Sequence, residues 1–354
     1  MIHITRPELD QLAEDYFYNF FIKRGFLKKL LISYLKEKND HRAFLRILLK
    51  RIKEIITGRP DVLEDILKNE FEKNFPNLLK QIKNTKPTQE AKKKVNSRIR
   101  KYNKFIVPTP AQIFSARVEY SFHYNSFVNV EDPKSWGAKY LAEKLGVNVC
   151  PYCNRNFTHT HRPHSTIKGA TRPEFDHFYS QDEFPFFALS FFNLVPSCHV
   201  CNSNFKGSQK FDLHLNPYDR GFDDDIMFTL KIRKRKDKKY LENWYNNPEY
   251  FNIDFKVNSL ADPDFIERAK NNIKSFQLRE LYKNHKDFAM EVIIKAKIYD
   301  EDKINSMVTE FPNLFPNRES VIRLITGNYS MYNELGKRTL SKLIHDIAQE
   351  YGLK

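Results

Sequence analysis

Apolar residues recur at helical spacing through the first stretch of the chain. Leu12, Tyr16, Phe20 and Phe21 form one stripe, and Leu45, Leu48, Leu49 and Ile52 form another. The repeat predicts a string of amphipathic helices from residue 8 to about 84, with the stripes as core. Asp10 is placed to cap the first helix, and Arg59-Pro60-Asp61 separates the second from a third. Pro108 and Pro110 mark a connector. Further on the period changes to two: Phe228, Leu230 and Ile232 alternate with other residues, as do Phe251, Ile253, Phe255 and Val257. That is the pattern of two half-buried strands suited to pairing. From Phe265 to about Tyr299 the helical period returns, and shorter helices follow up to Lys354.

These segments predict an α+β protein, mostly α. The regions are a helical N-terminal part (1–105), a connector (106–145), a cysteine-rich segment (146–222) and a helical C-terminal part with a short β-hairpin (223–354). With 30 Phe and 18 Tyr the chain has ample material for packed cores. Its 10 Gly form neither a Walker A run nor a G-x-G-x-x-G, which removes the common nucleotide-binding loops.

Charge changes the picture more. The net charge of +15 favours a polyanionic partner, although a basic protein with no such partner has the same balance. One basic run holds Lys83, Lys86, Lys92, Lys93, Lys94, Arg98, Arg100, Lys101 and Lys104 against a single acid, Glu90, and is closed by Tyr102 and Phe105. A second runs from Lys231 to Lys239. Each is either a solvated face or a strip for a nucleic-acid backbone. Met1 to Glu14 has no apolar secretory core, and no window reaches the ~18 apolar residues of a membrane span, so the expected compartment is the cytoplasm, with no membrane. Thiols stay reduced there.

The four cysteines therefore read as metal ligands. Cys150-Pro-Tyr-Cys153 and Cys198-His-Val-Cys201 are two C-x-x-C pairs, a soft tetrahedral set suited to structural zinc. The usual ribbon has ~15–20 residues between its pairs. Here 44 residues, 154 to 197, intervene, which leaves room for a strand pair and a loop. His199 and the group His159, His161 and His164 compete by residue type, but a four-cysteine site is already complete.

The insertion and its flank carry the reactive residue types. They contain Arg172-Pro-Glu-Phe-Asp176-His177-Phe-Tyr-Ser180, then Phe192-Asn193-Leu-Val-Pro-Ser197, then Asn202-Ser-Asn-Phe-Lys206-Gly207. Singly, Asp176 is a turn residue, His177 a packed histidine, Asn202 a helix cap and Lys206 a solvated lysine. Jointly they suit phosphodiester hydrolysis. A histidine with pKa near ~6.5 can take a proton from water at neutral pH. Asp and Asn offer hard oxygens suited to Mg²⁺ or Mn²⁺. Neighbouring strand positions face opposite ways, so a turn or bulge is expected to re-aim Asp176 or His177.

In these motifs the segment resembles the HNH (His-Asn-His) endonucleases, in the four-cysteine branch that includes phage junction-resolving enzymes. The resemblance implies a ββα-metal domain beside a structural zinc. It implies Asp176 and Asn202 as ligands of a catalytic divalent metal and His177 as general base. Asn193 would be the central Asn that ties the hairpin loop, and Lys206 would face the same metal and phosphate. Ser180 stands where the family pattern has proline, a departure in a loop. The implied activity is endonucleolytic cleavage of DNA to 5′-phosphate and 3′-hydroxyl ends.

Three further stretches resemble bacterial HNH proteins paired with an ATPase in anti-phage defence of the Septu type. They are Asn216-Pro-Tyr-Asp219, Phe276-Gln-Leu-Arg-Glu-Leu-Tyr-Lys-Asn-His285 and Lys337-Arg-Thr-Leu-Ser-Lys-Leu343. The resemblance implies a partner ATPase that licenses cleavage. Two other readings fit the same composition: a non-catalytic zinc-binding nucleic-acid adaptor, and an RNA-cleaving effector using the same site.

Overall fold

The computed structural model describes residues 1–96, 107–130, 132, 135–161, 171–207, 213–233 and 244–353. The first apolar stripe becomes helix α1 (Leu9–Tyr16), which continues as wider π-type turns over Phe17–Ile22. Its buried side, Leu9, Ala13, Tyr16, Phe20 and Phe21, follows the helical repeat. Asp10 does not cap it. The residue lies inside the first turn, where both its oxygens accept from the Arg59 guanidinium at 2.9 Å. Helices α2 (Phe26–Lys36), α3 (Asn39–Lys50) and α4 (Ile52–Thr57) follow. Pro60 then opens α5 (Pro60–Asp65), where its missing amide costs nothing. After π-type turns over Ile66–Glu72 come α6 (Pro76–Asn84) and α7 (Gln89–Val95).

The expected connector is largely helix. Thr109 and Gln112 form a reciprocal capping box, and Pro110 takes the first position of α8 (Pro110–Ser121). These signals start a helix where the two prolines read as a break. The short α9 (Asn125–Val128) and α10 (Ala138–Leu145) complete the stretch.

Next come β1 (Glu174–His177) and β2 (Leu194–Ser197), antiparallel with Glu174 opposite Ser197 and His177 opposite Leu194. The register runs without a bulge. A short helix with π-type winding, α11 (Val200–Lys206), follows directly and packs on β1.

The alternating segments form a second antiparallel pair as expected. In β3 (Ile226–Ile232) and β4 (Phe251–Val257), Phe228 faces Phe255 and Leu230 faces Ile253. Helices α12 (Pro263–Ser275), α13 (Leu278–Tyr282), α14 (Lys286–Ile298), α15 (Glu301–Glu310), α16 (Arg318–Thr326) and α17 (Ser341–Glu350) complete the chain. Among the described residues no helix is long and apolar enough to cross a membrane.

Two apolar clusters hold these elements. The larger joins the N-terminal helices to the cysteine-rich segment. Its key is the loop between β1 and β2, whose Phe186, Phe187, Phe191 and Phe192 are fully buried. Phe186 packs against Phe44 and Phe71, with centroids 5.6 and 4.7 Å apart, and Phe191 packs against Tyr16. Burying a large side chain contributes roughly 1.5–3 kcal/mol, so the N-terminal helices anchor this loop strongly. The smaller cluster sets the β3–β4 pair against α14 and α17 through Phe228, Phe251, Ile293 and Ile347.

Candidate metal centre and adjoining cleft

The two C-x-x-C pairs meet. Cys150, Cys153, Cys198 and Cys201 are all buried, and their four Sγ atoms lie within 4.8 Å of one another. Tetrahedral zinc with Zn–S near 2.3 Å would place its sulfurs roughly 3.8 Å apart. The Cys153 and Cys198 sulfurs are 4.0 Å apart. Two N–H groups point at the sulfurs, from the Arg155 backbone to Cys153 and from the Asn156 amide to Cys198, each at 3.4 Å. The set can therefore hold a metal ion such as zinc. Among the described residues His159 and His161 are not part of it, and His164 lies outside them.

The C-terminal half grips this knuckle. Tyr282 donates to the Cys153 carbonyl at 2.7 Å, and Arg155 donates to His285 at 2.8 Å. Asn154, in the left-handed region at φ 51°, accepts from the Ser341 hydroxyl and the Lys342 amide and donates to the Leu335 carbonyl. Asn216 and Tyr218 hold the other side by donating to the carbonyls of Phe192 and Leu194. The three stretches singled out in the tail thus converge on the knuckle and its ribbon.

Beside it opens a cleft of about 460 Å³, lined by Tyr124, Arg172, Glu174, Asp176, His177, Asn202 and Lys206 among others. Four of the five reactive residues read from the sequence are here. Asp176 and Lys206 are almost completely buried. Lys206 donates to Asp176 Oδ1 at 2.6 Å and to the His177 carbonyl, so it is no solvated lysine. Tyr152 donates to Asp176 Oδ2 at 2.6 Å. No bulge re-aims Asp176 or His177. Asp176 meets the knuckle and α11, whereas His177, at the end of β1, meets Tyr124 and the loop, and the cleft wraps around the strand end.

The His177 ring is fixed by its Nε2, 3.1 Å from the Ala188 carbonyl, and by Tyr124 edge-on at 4.4 Å. A carbonyl only accepts, so Nε2 carries the proton and Nδ1 keeps its lone pair. Burial pushes this imidazole down to about 4, against the raising effect of the Ala188 carbonyl and Asp176. At neutral pH the ring is uncharged.

Asn193 stands apart from the cleft lining. Fully buried, it accepts from the Tyr179 amide at 2.6 Å and donates to the carbonyls of Tyr179 and Phe187 at 3.1 and 2.9 Å. It pins the loop that carries Ala188.

Glu174 has no role in the sequence reading, yet it organises the rim. It accepts from His199 at 2.7 Å, from the Asn202 amide at 2.8 Å and from the Ser203 hydroxyl at 3.0 Å. Burial alone would raise its pKa, but these three donors outweigh it and hold the carboxyl below its ordinary value. Asn202 is thereby aimed across to β1 and does not cap its helix. The period-two rule places Glu174 on the face of Asp176, a signal that could have found it. Tyr124 and Tyr152 had no such signal.

The described part of the first basic run borders the loop of the cleft. Lys83 pairs with Glu183 at 2.5 Å and Lys86 with Asp182 at 3.8 Å, while Lys92 and Lys93 pair with Glu119 and Glu90. Arg98, Arg100, Lys101, Lys104, Tyr102 and Phe105 lie outside the described residues, as do 234–239 of the second run.

Comparison with family models, with curated proteins and with solved structures finds no match to this chain.

Proposed function

We propose that the chain is a metal-dependent endonuclease of the HNH type acting on DNA, with zinc in the four-cysteine cluster as a structural ion. One observation carries the reading. A neutral histidine, oriented by a backbone carbonyl so that Nδ1 is its proton acceptor, shares a cleft with Asp176, Glu174 and Asn202. The strand–loop–strand–helix order of β1, β2 and α11 supports it too.

The donor set fits a hard divalent ion. Each Asp176 oxygen accepts one hydrogen bond of known partner, and a carboxylate has about four lone-pair sites. Asp176, with Asn202 and Glu174, would hold Mg²⁺ or Mn²⁺. When bound there, such an ion supplies stabilisation of charge on the phosphoryl oxygens and on the leaving 3′-oxygen. The chain itself does the rest. His177 Nδ1 takes a proton from water as the new P–O bond forms and the bond to the 3′-oxygen breaks. Lys206 keeps Asp176 aimed and adds positive charge beside the phosphate path. The Phe-rich loop, anchored in the N-terminal helices, keeps the Ala188 carbonyl on Nε2. The tail stretches grip the knuckle and its ribbon, and the partner ATPase that their resemblance implies would license cleavage from that side, which co-purification of the chain with an ATPase tests.

The test is plasmid nicking by purified protein with Mg²⁺ or Mn²⁺, stopped by EDTA and lost in His177→Ala. A parent that binds DNA and zinc yet cuts neither DNA nor RNA would leave the adaptor reading in its place. Cutting of RNA alone would transfer the site to the RNA-cleaving reading.

A further inference from the structure

We propose that Tyr152 is a positioning residue for Asp176, so that the zinc knuckle and the C-terminal half together set the aim of the cleft carboxylate. The inference rests on the nuclease reading and deepens it. Tyr152 lies between two ligand cysteines and is fully buried. Its backbone belongs to a loop closed by bonds from the Asn154 amide to the Cys150 carbonyl and from the Cys150 amide to the Asn156 carbonyl, at 2.8 and 2.9 Å. The ring stacks on Phe276, with centroids 4.3 Å apart and planes 23° from parallel. With backbone and ring both fixed, one torsion remains, that of the hydroxyl hydrogen. The hydroxyl meets Asp176 Oδ2 at 2.6 Å.

Phenylalanine would fill the same space. The hydroxyl is explained by what it reaches, the buried carboxylate that lines the cleft. Lys206 holds the other oxygen from α11, which also carries Cys201. Asp176 is thus held from both arms of the cysteine cluster, and its carboxylate cannot turn without breaking a buried bond. Phe276 extends the chain of contact: α12 ends against Tyr152, Tyr152 ends on Asp176, and Asp176 faces the cleft. Partners of this kind typically change metal affinity or activity by ~10–100-fold when removed.

The experiment is Tyr152→Phe in the full chain, alone and combined with Asp176→Ala. Zinc content and circular dichroism should match the parent. Mn²⁺ affinity, read by calorimetry in a His177→Ala background without DNA, should weaken by ~10-fold or more. Plasmid cleavage should fall in kcat with little change in KM. In the Asp176→Ala background, which leaves the hydroxyl no side-chain oxygen at this position, removing it should cost nothing further. Equal losses in both backgrounds, or parental Mn²⁺ binding and cleavage by zinc-loaded Tyr152→Phe, would overturn the inference. If Tyr152→Phe fails to fold, Phe276→Leu takes its place: it keeps the hydroxyl, loosens the ring and should weaken Mn²⁺ binding in the same direction. Parental Mn²⁺ binding by Phe276→Leu then counts against the inference. A parent that holds zinc but neither binds Mn²⁺ nor cuts sinks the nuclease reading instead. The coupling is then decided by denaturant unfolding of the same four proteins, where additive midpoint shifts would refute the Tyr152–Asp176 bond.

Discussion

Two polar clusters meet at the same short helix and are satisfied in opposite ways. The four cysteines are all buried and lie against one another, with N–H groups on two of their sulfurs. One residue along α11 from Cys201, Asn202 belongs to the other cluster, where Asp176, Glu174 and His177 each have a fixed partner yet border open volume. The difference lies in what ends each set of donors. A closed shell contributes to folding, and an open one leaves lone pairs for an ion, a water and a phosphate.

The largest effect should come from breaking the closed side. One zinc per chain is expected by elemental analysis, and structural zinc sites are worth ~10–16 kcal/mol in small domains. Chelation or Cys198→Ser should lower the melting temperature strongly and abolish DNA binding and cleavage together. A zinc-free preparation with the parental melting temperature would sink the structural-zinc reading.

Breaking the open side should spare the fold. His177→Ala should reduce cleavage by ~10²–10⁴ while zinc content and DNA affinity stay near parental values, with stability lowered by ~1–3 kcal/mol as the buried Ala188 carbonyl loses its partner. Full cleavage by this variant would remove the catalytic assignment.

Asn193→Ala tests the seam between the two. Three buried hydrogen bonds disappear and the Tyr179 amide and Phe187 carbonyl lose a partner, so ~2–4 kcal/mol of stability should go, read by denaturant unfolding. Zinc should stay bound. A loss below ~1 kcal/mol would mean that the loop is held by its phenylalanines alone.

The smallest effect concerns the basic run. Each phosphate contact steepens the fall of log K with log salt by ~0.9 on duplex DNA. Neutralising Lys92, Lys93 and Lys94 should flatten the slope by less than three contacts' worth, because Lys92 and Lys93 already pair with Glu119 and Glu90. An unchanged slope would make this strip a solvated face.

How much of this was legible follows from the reach of each signal. The β3–β4 pair was read from alternation alone, since a strand's burial pattern is local. The cysteine pairs were also legible, because residue type and short spacing name them, and the same short motifs hold Asp176, His177, Asn202 and Lys206, which line one cleft. Glu174 was within reach of the same period-two rule. Tyr124 was not, because only the packing of helices against the Phe-rich loop carries it to His177, more than 50 positions away. Pro108 and Pro110 misled because proline both breaks a helix interior and opens a helix, and Thr109 with Gln112 decides for opening. The expected bulge was unnecessary, since a cleft that wraps around a strand end receives residues from both faces.

The grip of Asn154 on Leu335, Ser341 and Lys342 has a consequence for the chain in the making. These bonds join residues 181 to 188 positions apart. At a synthesis rate of ~5–20 residues per second, the partners of Asn154 emerge roughly 10–40 s after it does. Until then the knuckle lacks its far-side support, although Phe276, which stacks on Tyr152, has already emerged. A nascent chain, or one cut off before Leu335, would carry every residue that lines the cleft without the bonds that tie Asn154 to the C-terminal segment. The knuckle would be braced last, by the chain's own distant segment.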